Sequence, residues 1–418
     1  MKSPTVDAIA SSRPPEVDGG VANALTSCAA RMGSSRRLET CRYLSTNVMA
    51  TRASDKTIRY AVVGLGHIAQ VAVVPAFAHA RRNSRLAAIV SDDPAKRRAV
   101  SKKYGIAASY TYDDYERCLE QVDAVYLALP NSMHAEYTIR AARAGVHVLC
   151  EKPMAVTADE CERMIAACRE HRVKLMIAYR LHFEALTLDV LEQVRRGRIG
   201  EPKFFNSSFS LRVRPDNIRT RKAMGGGSLY DIGVYCINAA RALFGSEPKE
   251  VMAVSVNSGV AALREIDEST GALLRFDGER VAAFVTSFNA ADVGSYQIVG
   301  TKGDLRVHPA YEYVDALGYE LTIKGKTRRV RGRKADQFAA ELLYFSDCIL
   351  RDIEPEPSGE EGLQDVRIVQ ALHESADTGK AVAIPPFERT KRPTLRQRTT
   401  KPPVKKPTLV HAKSGSRD

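Results

Sequence analysis

The sequence lacks tryptophan, and it has no continuous apolar run of the roughly 18 residues that a transmembrane helix needs. A membrane-spanning protein is therefore not expected. No internal repeat is present, which excludes solenoids and propellers. Hydrophobic residues make up 44% of the 418 positions, enough for a buried core. At about 100–200 residues per domain, this length indicates two domains.

The eight cysteines form no Cys-X-X-Cys pair and have no spacing typical of a metal site, so no bound metal is predicted. Cys150 and Cys236 lie within apolar segments, as buried, reduced thiols of a cytoplasmic protein do. Arg36 and Arg37 resemble a twin-arginine export signal, but no apolar segment of about 7–15 residues follows them. The cytoplasm is therefore favoured, and the periplasm is the alternative.

The net charge of +13 is concentrated near the C-terminus. Residues 386–418 carry ten basic and two acidic side chains, whereas residues 56–385 are nearly neutral, so the body can be an enzyme. No aromatic residue follows Phe387, which removes base stacking. We predict residues 387–418 to be a basic, disordered tail that binds no specific nucleic acid and no membrane. A weak, salt-sensitive contact with an anionic surface is the alternative.

The order of predicted strands and helices changes near the middle of the chain. Strands alternate with helices over residues 56–178, which predicts βαβ units and a parallel sheet. Strands then follow one another over residues 179–386, with one helix at about 230–244 among them. We therefore expect an α/β fold: an N-terminal Rossmann dinucleotide-binding domain plus a C-terminal α+β domain with a large open, mainly antiparallel sheet. Its closing helix is expected to return to the first domain, and residues 1–55 are predicted to be a disordered or non-native extension.

A glycine-rich turn follows the first strand, and a helical pattern follows the turn. In this setting the motif binds the pyrophosphate of a dinucleotide, because its glycines permit a tight turn and a close backbone approach. Ala69 is small enough for the helix and strand to pack closely. The alternative is a purely structural turn. The predicted cofactor-binding residues are Gly64, Leu65, Gly66, His67 and Ile68.

The end of the second strand distinguishes NADP from NAD. Ser91 can bond a 2′-phosphate, and Lys96 or Arg97 can neutralise it, whereas Asp92 favours NAD. We predict NADP as the cofactor, with Ser91 and Lys96 binding it, and NAD as the alternative. The two basic residues could equally form a solvated helix face.

Five further segments complete a recognisable pattern. Together with the glycine-rich turn, they resemble the Gfo/Idh/MocA oxidoreductases, and among these the glucose–fructose oxidoreductases, over residues 57–386. The resemblance implies hydride transfer between a nicotinamide and a sugar or polyol, and a homodimer or homotetramer built on the open sheet. The segments are Pro130–Glu136, Glu151–Pro153, Tyr179–Arg180, Gly225–Tyr235 and Gly359–Arg367.

The same resemblance implies three catalytic residues. Tyr235 matches the acid/base tyrosine, Lys152 the active-site lysine, and Asp231 the carboxylate one helical turn before the tyrosine. A lysine suits this role, because a nearby ammonium favours the phenolate form of a tyrosine. Asp231 shares a helix face with Tyr235 and would orient substrate hydroxyls. The alternatives are a core tyrosine, a surface lysine and a structural carboxylate.

Other residues of these segments are expected to surround the cofactor, although His134 is equally consistent with a packed helix residue. The arginines at 212, 214, 219 and 221 are predicted to lie in a solvated loop rather than to touch substrate. The additional cofactor contacts are Leu129, Asn131, His134, Glu151, Tyr179 and Arg180.

We therefore predict an NADP-dependent sugar oxidoreductase. The first alternative is a dissociable NAD(P)-dependent dehydrogenase of a pentose, inositol or dihydrodiol, since variable loops supply the residues that face substrate. The second is a catalytically silent NADP-binding sensor, which the intact Lys152, Asp231 and Tyr235 oppose. Residues 1–55 do not resemble the arm with which glucose–fructose oxidoreductases retain their cofactor, so permanent retention stays open.

Overall fold

Six short parallel strands form the first sheet of the computed structural model, which describes residues 56–389 and 391–416. The strands are β1 (Ile58–Val63), β2 (Ser84–Val90), β3 (Ala108–Tyr110), β4 (Ala124–Leu127), β5 (His147–Cys150) and β6 (Leu175–Ile177). Their order, β3-β2-β1-β4-β5-β6, is that of a doubly wound nucleotide-binding sheet. β1, β4 and β5 are almost wholly buried, as expected for strands covered on both faces.

Helices connect these strands. A π-helical turn at Ala69–Val73 continues as α1 (Val74–Ala76), and α2 (Pro94–Tyr104), α3 (Tyr115–Leu119), α4 (His134–Arg143) and α5 (Ala158–Glu170) follow. The Asp93 carboxylate starts α2 by accepting hydrogen bonds from the amides of Ala95 and Lys96. A capping box formed by Thr157 and Glu160 starts α5.

Nine strands form the second sheet, in the order β14-β13-β12-β11-β7-β10-β9-β8-β15 once the strands are numbered along the chain. Only the β10–β7 pair is parallel, and every other pair is antiparallel. The predicted fold class is therefore confirmed. The strands are β7 (Pro202–Arg212), β8 (Pro248–Val256), β9 (Ser269–Phe276), β10 (Arg280–Ser287), β11 (Asn289–Gly300), β12 (Gly303–Val307), β13 (Gly318–Ile323), β14 (Lys326–Arg331) and β15 (Val382–Ala383).

Four further helices complete the fold: α6 (Ala185–Arg195), α7 (Val234–Phe244), α8 (Gln337–Leu350) and α9 (Gly359–Thr378). The helix predicted at about 230–244 begins as a π-helical turn, Leu229–Gly233, that leads into α7. β3, α3, α6, β14 and β15 were not predicted. β14 was missed because its sequence, Lys-Thr-Arg-Arg-Val-Arg, is mostly charged, and such a strand is tolerated at a sheet edge.

A buried charged cluster holds the closing helix α9 against both sheets. The guanidinium of Arg241 on α7 is fully buried and pairs with Glu361 and Asp365 of α9 and with Glu247. The hydroxyl of Tyr179, which follows β6, donates to Asp365 at 2.6 Å. Residues from the first sheet, from α7 and from α9 therefore share one hydrogen-bonded cluster.

The C-terminal segment, predicted to be disordered over 387–418, lies against the body over residues 391–416. Arg389 is 3% exposed in its side chain and pairs with Glu356 and Glu361, and Gln397 donates to Glu356 at 2.7 Å. The Lys401 carbonyl accepts from the Asp336 amide. The composition was misleading because polar contacts with specific acidic groups of the body, rather than apolar burial, hold this segment.

No helix in the described ranges is long and apolar enough to cross a membrane. The predicted N-terminal extension, residues 1–55, lies outside the described residues, as do Cys28 and Cys41. The six described cysteines are free and buried.

Replacing Arg241 by methionine should lower the free energy of unfolding by about 3–5 kcal/mol, because it leaves buried carboxylates without their cation. Urea denaturation followed by circular dichroism measures this. The matched control is Arg196→Ala, which removes an exposed pair with Glu192 and should change stability by less than about 0.5 kcal/mol. Equal midpoints for the two variants would contradict a stabilising role for the cluster.

Candidate active site

The glycine-rich turn lies where β1, β2 and β4 end. The Gly64 amide donates to the Val90 carbonyl at 2.9 Å, and its φ is +92°. A Cβ at Gly64 would lie 2.5 Å from the Ala128 carbonyl oxygen, so no other residue fits without displacing the next strand end. The turn is thereby fixed at the carboxyl edge of the sheet, where ligands of such folds bind.

The second glycine faces open space. A Cβ built on Gly66 would meet no atom within 4 Å, whereas Leu65 before it is buried and its carbonyl accepts from Gln70. His67 and Ile68 are partly exposed beside it. A backbone that is open at this point can be approached closely by a pyrophosphate, so these residues fit a dinucleotide.

The residues predicted to distinguish NADP from NAD meet at the end of β2. The Arg97 guanidinium donates to the Ser91 carbonyl, and the Ser91 hydroxyl accepts from the Asp93 amide. Hydrogen bonds from the Lys96 amide and from His411 hold the pKa of Asp93 at about 2. Asp92 is turned toward the Tyr112 amide. Ser91, Lys96 and Arg97 therefore surround one strand end.

Two of the predicted cofactor residues hold loops together. His134 is fully buried between the carbonyls of Leu129 and Pro153, at 3.0 Å from each, and burial lowers its pKa. The Asn131 amide donates to the Gly225 carbonyl at 2.7 Å, which connects the loop after β4 to the loop before α7. Both contacts fix the shape of the cleft edge.

The loop after β5 brings Lys152 to α7. The Lys152 ammonium donates to the Asp231 carbonyl at 2.7 Å and lies 3.4 Å from Oδ1 of the same residue. It also lies 4.7 Å from the centroid of the Tyr235 ring. Glu151 is partly buried beside it and accepts from the Tyr126 hydroxyl, and the loss of hydration raises its pKa. The three predicted catalytic residues are thus brought together.

Asp231 pairs with a second cation, the Arg219 guanidinium, which the sequence analysis predicted to lie in a solvated loop. The Arg219 Nε donates to Asp231 Oδ2 at 2.6 Å. Burial opposes ionisation of Asp231, but the charges of Arg219 and Lys152 outweigh it and hold its pKa at about 2. The prediction that Arg219 lies in a solvated loop was wrong, since no local pattern shows that this loop folds back onto α7.

Arg180 also lies beside the Tyr235 ring. Its guanidinium carbon is 5.2 Å from the ring centroid, and Nη2 donates to the Tyr235 hydroxyl at 3.3 Å. Gln337 on α8 fixes this guanidinium through a 2.6 Å hydrogen bond. Arg180 is only 5% exposed, so its charge acts in a poorly hydrated setting. Two cations, from different loops, therefore flank one tyrosine.

Tyr179, predicted to contact the cofactor, instead directs its hydroxyl into the cluster around Arg241. It stacks on His182, whose Nδ1 lies 3.1 Å from Glu356 and whose Nε2 lies 2.7 Å from Asn238. These residues form a polar layer next to the site. The sequence could not show which of the neighbours Tyr179 and Arg180 faces the site, because the orientation of both side chains depends on the bend of the backbone after β6.

This fold and cleft define an oxidoreductase with an NAD-binding Rossmann domain. The sequence profile of the oxidoreductase family with an NAD-binding Rossmann fold matches residues 58–179, and that of the GFO/IDH/MocA C-terminal domain matches residues 187–306. The chain belongs to the Gfo/Idh/MocA family of oxidoreductases, as its sequence predicted.

Among its relatives is the D-xylose 1-dehydrogenase [NADP(+)] of Haloarcula marismortui, 32% identical over 79% of this chain and 94% of that protein. A dTDP-3,4-didehydro-2,6-dideoxy-α-D-glucose 3-reductase of Streptomyces violaceoruber is 36% identical over 71% of this chain and 86% of that protein. The solved aldose–aldose oxidoreductase of Caulobacter crescentus superposes with a TM-score of 0.75 and 36% identity, over 79% of this chain and 100% of that one.

The stability contributed by Asp231 should depend on pH. Its native pKa of about 2 lies below the value of about 3.9 in an unfolded chain, so the contribution is present at neutral pH and is lost as the pH falls from about 4 toward 2. Asp231→Asn should cost about 2–3 kcal/mol at pH 7, a difference that shrinks below pH 4. Urea midpoints from pH 7 to pH 3 measure it.

The control is Asp159→Asn, which alters an acid whose side chain is 79% exposed and paired only with Arg163 in the described part of the chain. That variant should show a small difference at every pH. A constant deficit of Asp231→Asn across the range would contradict the ion-pair account.

Proposed function

We propose that the protein is an NADP-dependent oxidoreductase that transfers hydride between the nicotinamide and a CH–OH carbon of a sugar. The observation that supports this most directly is the position of Tyr235, whose ring lies within about 5 Å of both the Lys152 and the Arg180 cation and whose hydroxyl accepts from Arg180, in a protein that also has a turn shaped for a dinucleotide. The relatives named above support the substrate class and the cofactor, since they include an NADP-linked xylose dehydrogenase and an aldose–aldose oxidoreductase.

The cofactor, when bound, supplies the hydride acceptor or donor. Gly64 to Ile68 would hold the pyrophosphate, while Ser91 and Lys96, assisted by Arg97, would take the 2′-phosphate of NADP. Glu151 lies at the same edge beside Lys152 and orients the loop that carries the lysine. Leu129, Asn131 and His134 shape the cleft between the loops.

Tyr235 acts as the acid/base. It accepts the proton of the substrate hydroxyl during oxidation and returns one during reduction. Negative charge that develops on this oxygen in the transition state is stabilised by the Arg180 guanidinium, which donates to it at 3.3 Å, and by the Lys152 ammonium, 4.7 Å from the ring centroid. The proton therefore moves between two oxygens whose surroundings are positively charged.

Asp231 is a positioning residue in this scheme. Its carbonyl and carboxylate hold the Lys152 ammonium, and Arg219 holds the carboxylate. We had expected Asp231 to orient substrate hydroxyls, but both of its carboxylate oxygens are engaged by cations. Fixing the lysine in advance lowers the cost of stabilising charge when the proton moves.

The first test is to purify the protein without added nucleotide, release any bound small molecule with acid and identify it by mass spectrometry. NADP(H) in the released material, or NADP⁺ reduction by D-xylose or D-glucose with external cofactor, supports the proposal. A protein that binds neither NADP nor NAD by calorimetry would overturn it.

Tyr235→Phe should lower kcat/KM by about 100-fold or more while leaving dinucleotide affinity unchanged, because only the proton-transferring oxygen is removed. Steady-state kinetics with an active sugar and NADPH fluorescence titration measure the two quantities. Tyr319→Phe is the control, since Tyr319 lies on β13, next to the edge strand of the second sheet, and its hydroxyl donates to Asp189 of α6. A Tyr235→Phe enzyme within threefold of the parent would exclude this role.

An apolar sheet face supports a homo-oligomer, either a dimer or a tetramer. Neighbouring strands place exposed apolar side chains side by side, with Met252 opposite Leu273 and Val281 opposite Phe204. Helices α7 and α9 cover the opposite face of this sheet. Large apolar patches on the surface of a single chain typically mark the place where another protein chain binds. The exposed residues of the face are Phe204, Met252, Val254, Leu273, Val281 and Val285.

The double variant Val254→Glu/Val285→Glu should dissociate the oligomer into monomers, because it places charges on the apolar face. Analytical ultracentrifugation over a range of protein concentrations measures the mass. Ile353→Glu, which changes an exposed residue away from this sheet, should keep the parent mass. A parent protein that sediments as a monomer would contradict the assignment of this face.

A further inference from the structure

The last described residues of the chain cross the cofactor cleft. We call residues 410–416 the strap. It is reached by a segment with Pro402, Pro403 and Pro407, which favour an extended chain and limit the entropy lost on docking. No residue of the strap was among the predicted site residues. Several of its contacts nevertheless fall on residues of the site or beside it.

One end of the strap is fixed beside the glycine-rich turn. The Val410 amide donates to Gln70 Oε1, and Gln70 Nε2 donates to the Val410 carbonyl, both at 2.9 Å. Gln70 is 4% exposed and also donates to the Leu65 carbonyl inside the turn. A single buried amide side chain thus connects the strap to the pyrophosphate-binding backbone.

The next residue reaches the end of β2. His411 Nδ1 lies 2.8 Å from Asp93 Oδ2, the carboxylate that starts α2. Ser91, Lys96 and Arg97 surround the same position. The strap therefore contacts both loops that we assign to the adenosine half of the dinucleotide.

The other end of the strap is fixed to the second domain. The Arg214 amide donates to the Gly415 carbonyl at 2.9 Å, and Arg214 Nε donates to the Ser416 carbonyl at 3.1 Å. A Cβ built on Gly415 would lie 2.9 Å from Arg219 Nη1, so the strap passes close against the arginine that holds Asp231. The strap therefore joins the adenosine end of the cleft to the catalytic end.

A separate open space lies beside the strap. Residues 411–414 of the strap and residues 214, 216, 217 and 218 border a cleft of about 490 Å³, and the residues assigned above to the dinucleotide are not among its lining. Space of this size is in the range of small-molecule sites. The strap therefore has open volume next to its path.

We propose that the strap closes over the bound dinucleotide and retains it, so that cofactor release requires residues 410–416 to undock. This inference rests on the proposed function, since it concerns the same cofactor. The Caulobacter crescentus enzyme is covered over 100% of its length by 79% of this chain, so about a fifth of this chain has no counterpart in that enzyme.

The test measures the dissociation rate of NADPH by stopped-flow fluorescence, with excess NADP⁺ as the displacing ligand. Three proteins are compared with the full chain: one ending at Pro407, the variant His411→Ala, and Lys405→Ala/Lys406→Ala. The double lysine variant removes two exposed charges outside the strap and is the matched control. Far-UV circular dichroism verifies that each protein is folded.

We expect the shortened chain to release NADPH about tenfold faster or more, which corresponds to the loss of one or two net hydrogen bonds. His411→Ala should change the rate in the same direction by a smaller factor, and the lysine variant should match the full chain. An unchanged rate in the shortened chain would overturn the strap. Slower release or tighter binding would also overturn it, because it would identify the segment as a competitor for the site.

Limited trypsin digestion gives a readout that is independent of rates. NADP⁺ should slow cleavage after Lys413, within the strap, and leave cleavage after Lys405 unchanged. Equal cleavage at Lys413 with and without NADP⁺ would count against closure. A full chain that binds no dinucleotide at all would overturn the proposed function itself. A full chain that binds NADPH tightly, but releases it at the same rate with and without the strap, would overturn only the role of the strap.

Discussion

The arrangement of the site depends on the ion pairs of one buried carboxylate. Asp231 receives Lys152 from the loop after β5 and Arg219 from a loop of the second domain. Exposed pairs of this kind contribute little, but a low local dielectric strengthens the attraction. The pKa of about 2 for Asp231 means that the two cations outweigh the cost of burial. Through this one residue, the two domains are joined beside Tyr235.

A second cluster of buried charges, around Arg241, holds the helix that carries Tyr235. Arg241 binds Glu361 and Asp365, and Tyr179 and Asn238 complete the hydrogen bonds of Asp365. These groups set the position of α7, which carries Tyr235 at its second residue. A buried cation with several carboxylates tolerates few alternative arrangements, because each unpaired charge would be costly. The catalytic helix is therefore fixed by electrostatics as well as by apolar packing.

Several expectations succeeded because they depended on short-range constraints. The Gly64 turn could be predicted, since a left-handed backbone against a strand end requires glycine. Arg219 and the C-terminal segment were misjudged for a common reason. Both are basic and polar, and only their acidic or amide partners, which the fold brings to them, distinguish a docked segment from a solvated one.

The sequence by itself determined the order of most strands and helices, the dinucleotide turn, the family and the candidates Lys152, Asp231 and Tyr235, because each is carried by a local pattern or a continuous motif. Only the tertiary structure decided which charges meet. It placed Arg180 rather than Tyr179 on the phenol, gave Asp231 its second cation and laid residues 410–416 across the cleft. Those contacts join residues up to 340 positions apart, and complementarity over such separations arises only when the chain is folded.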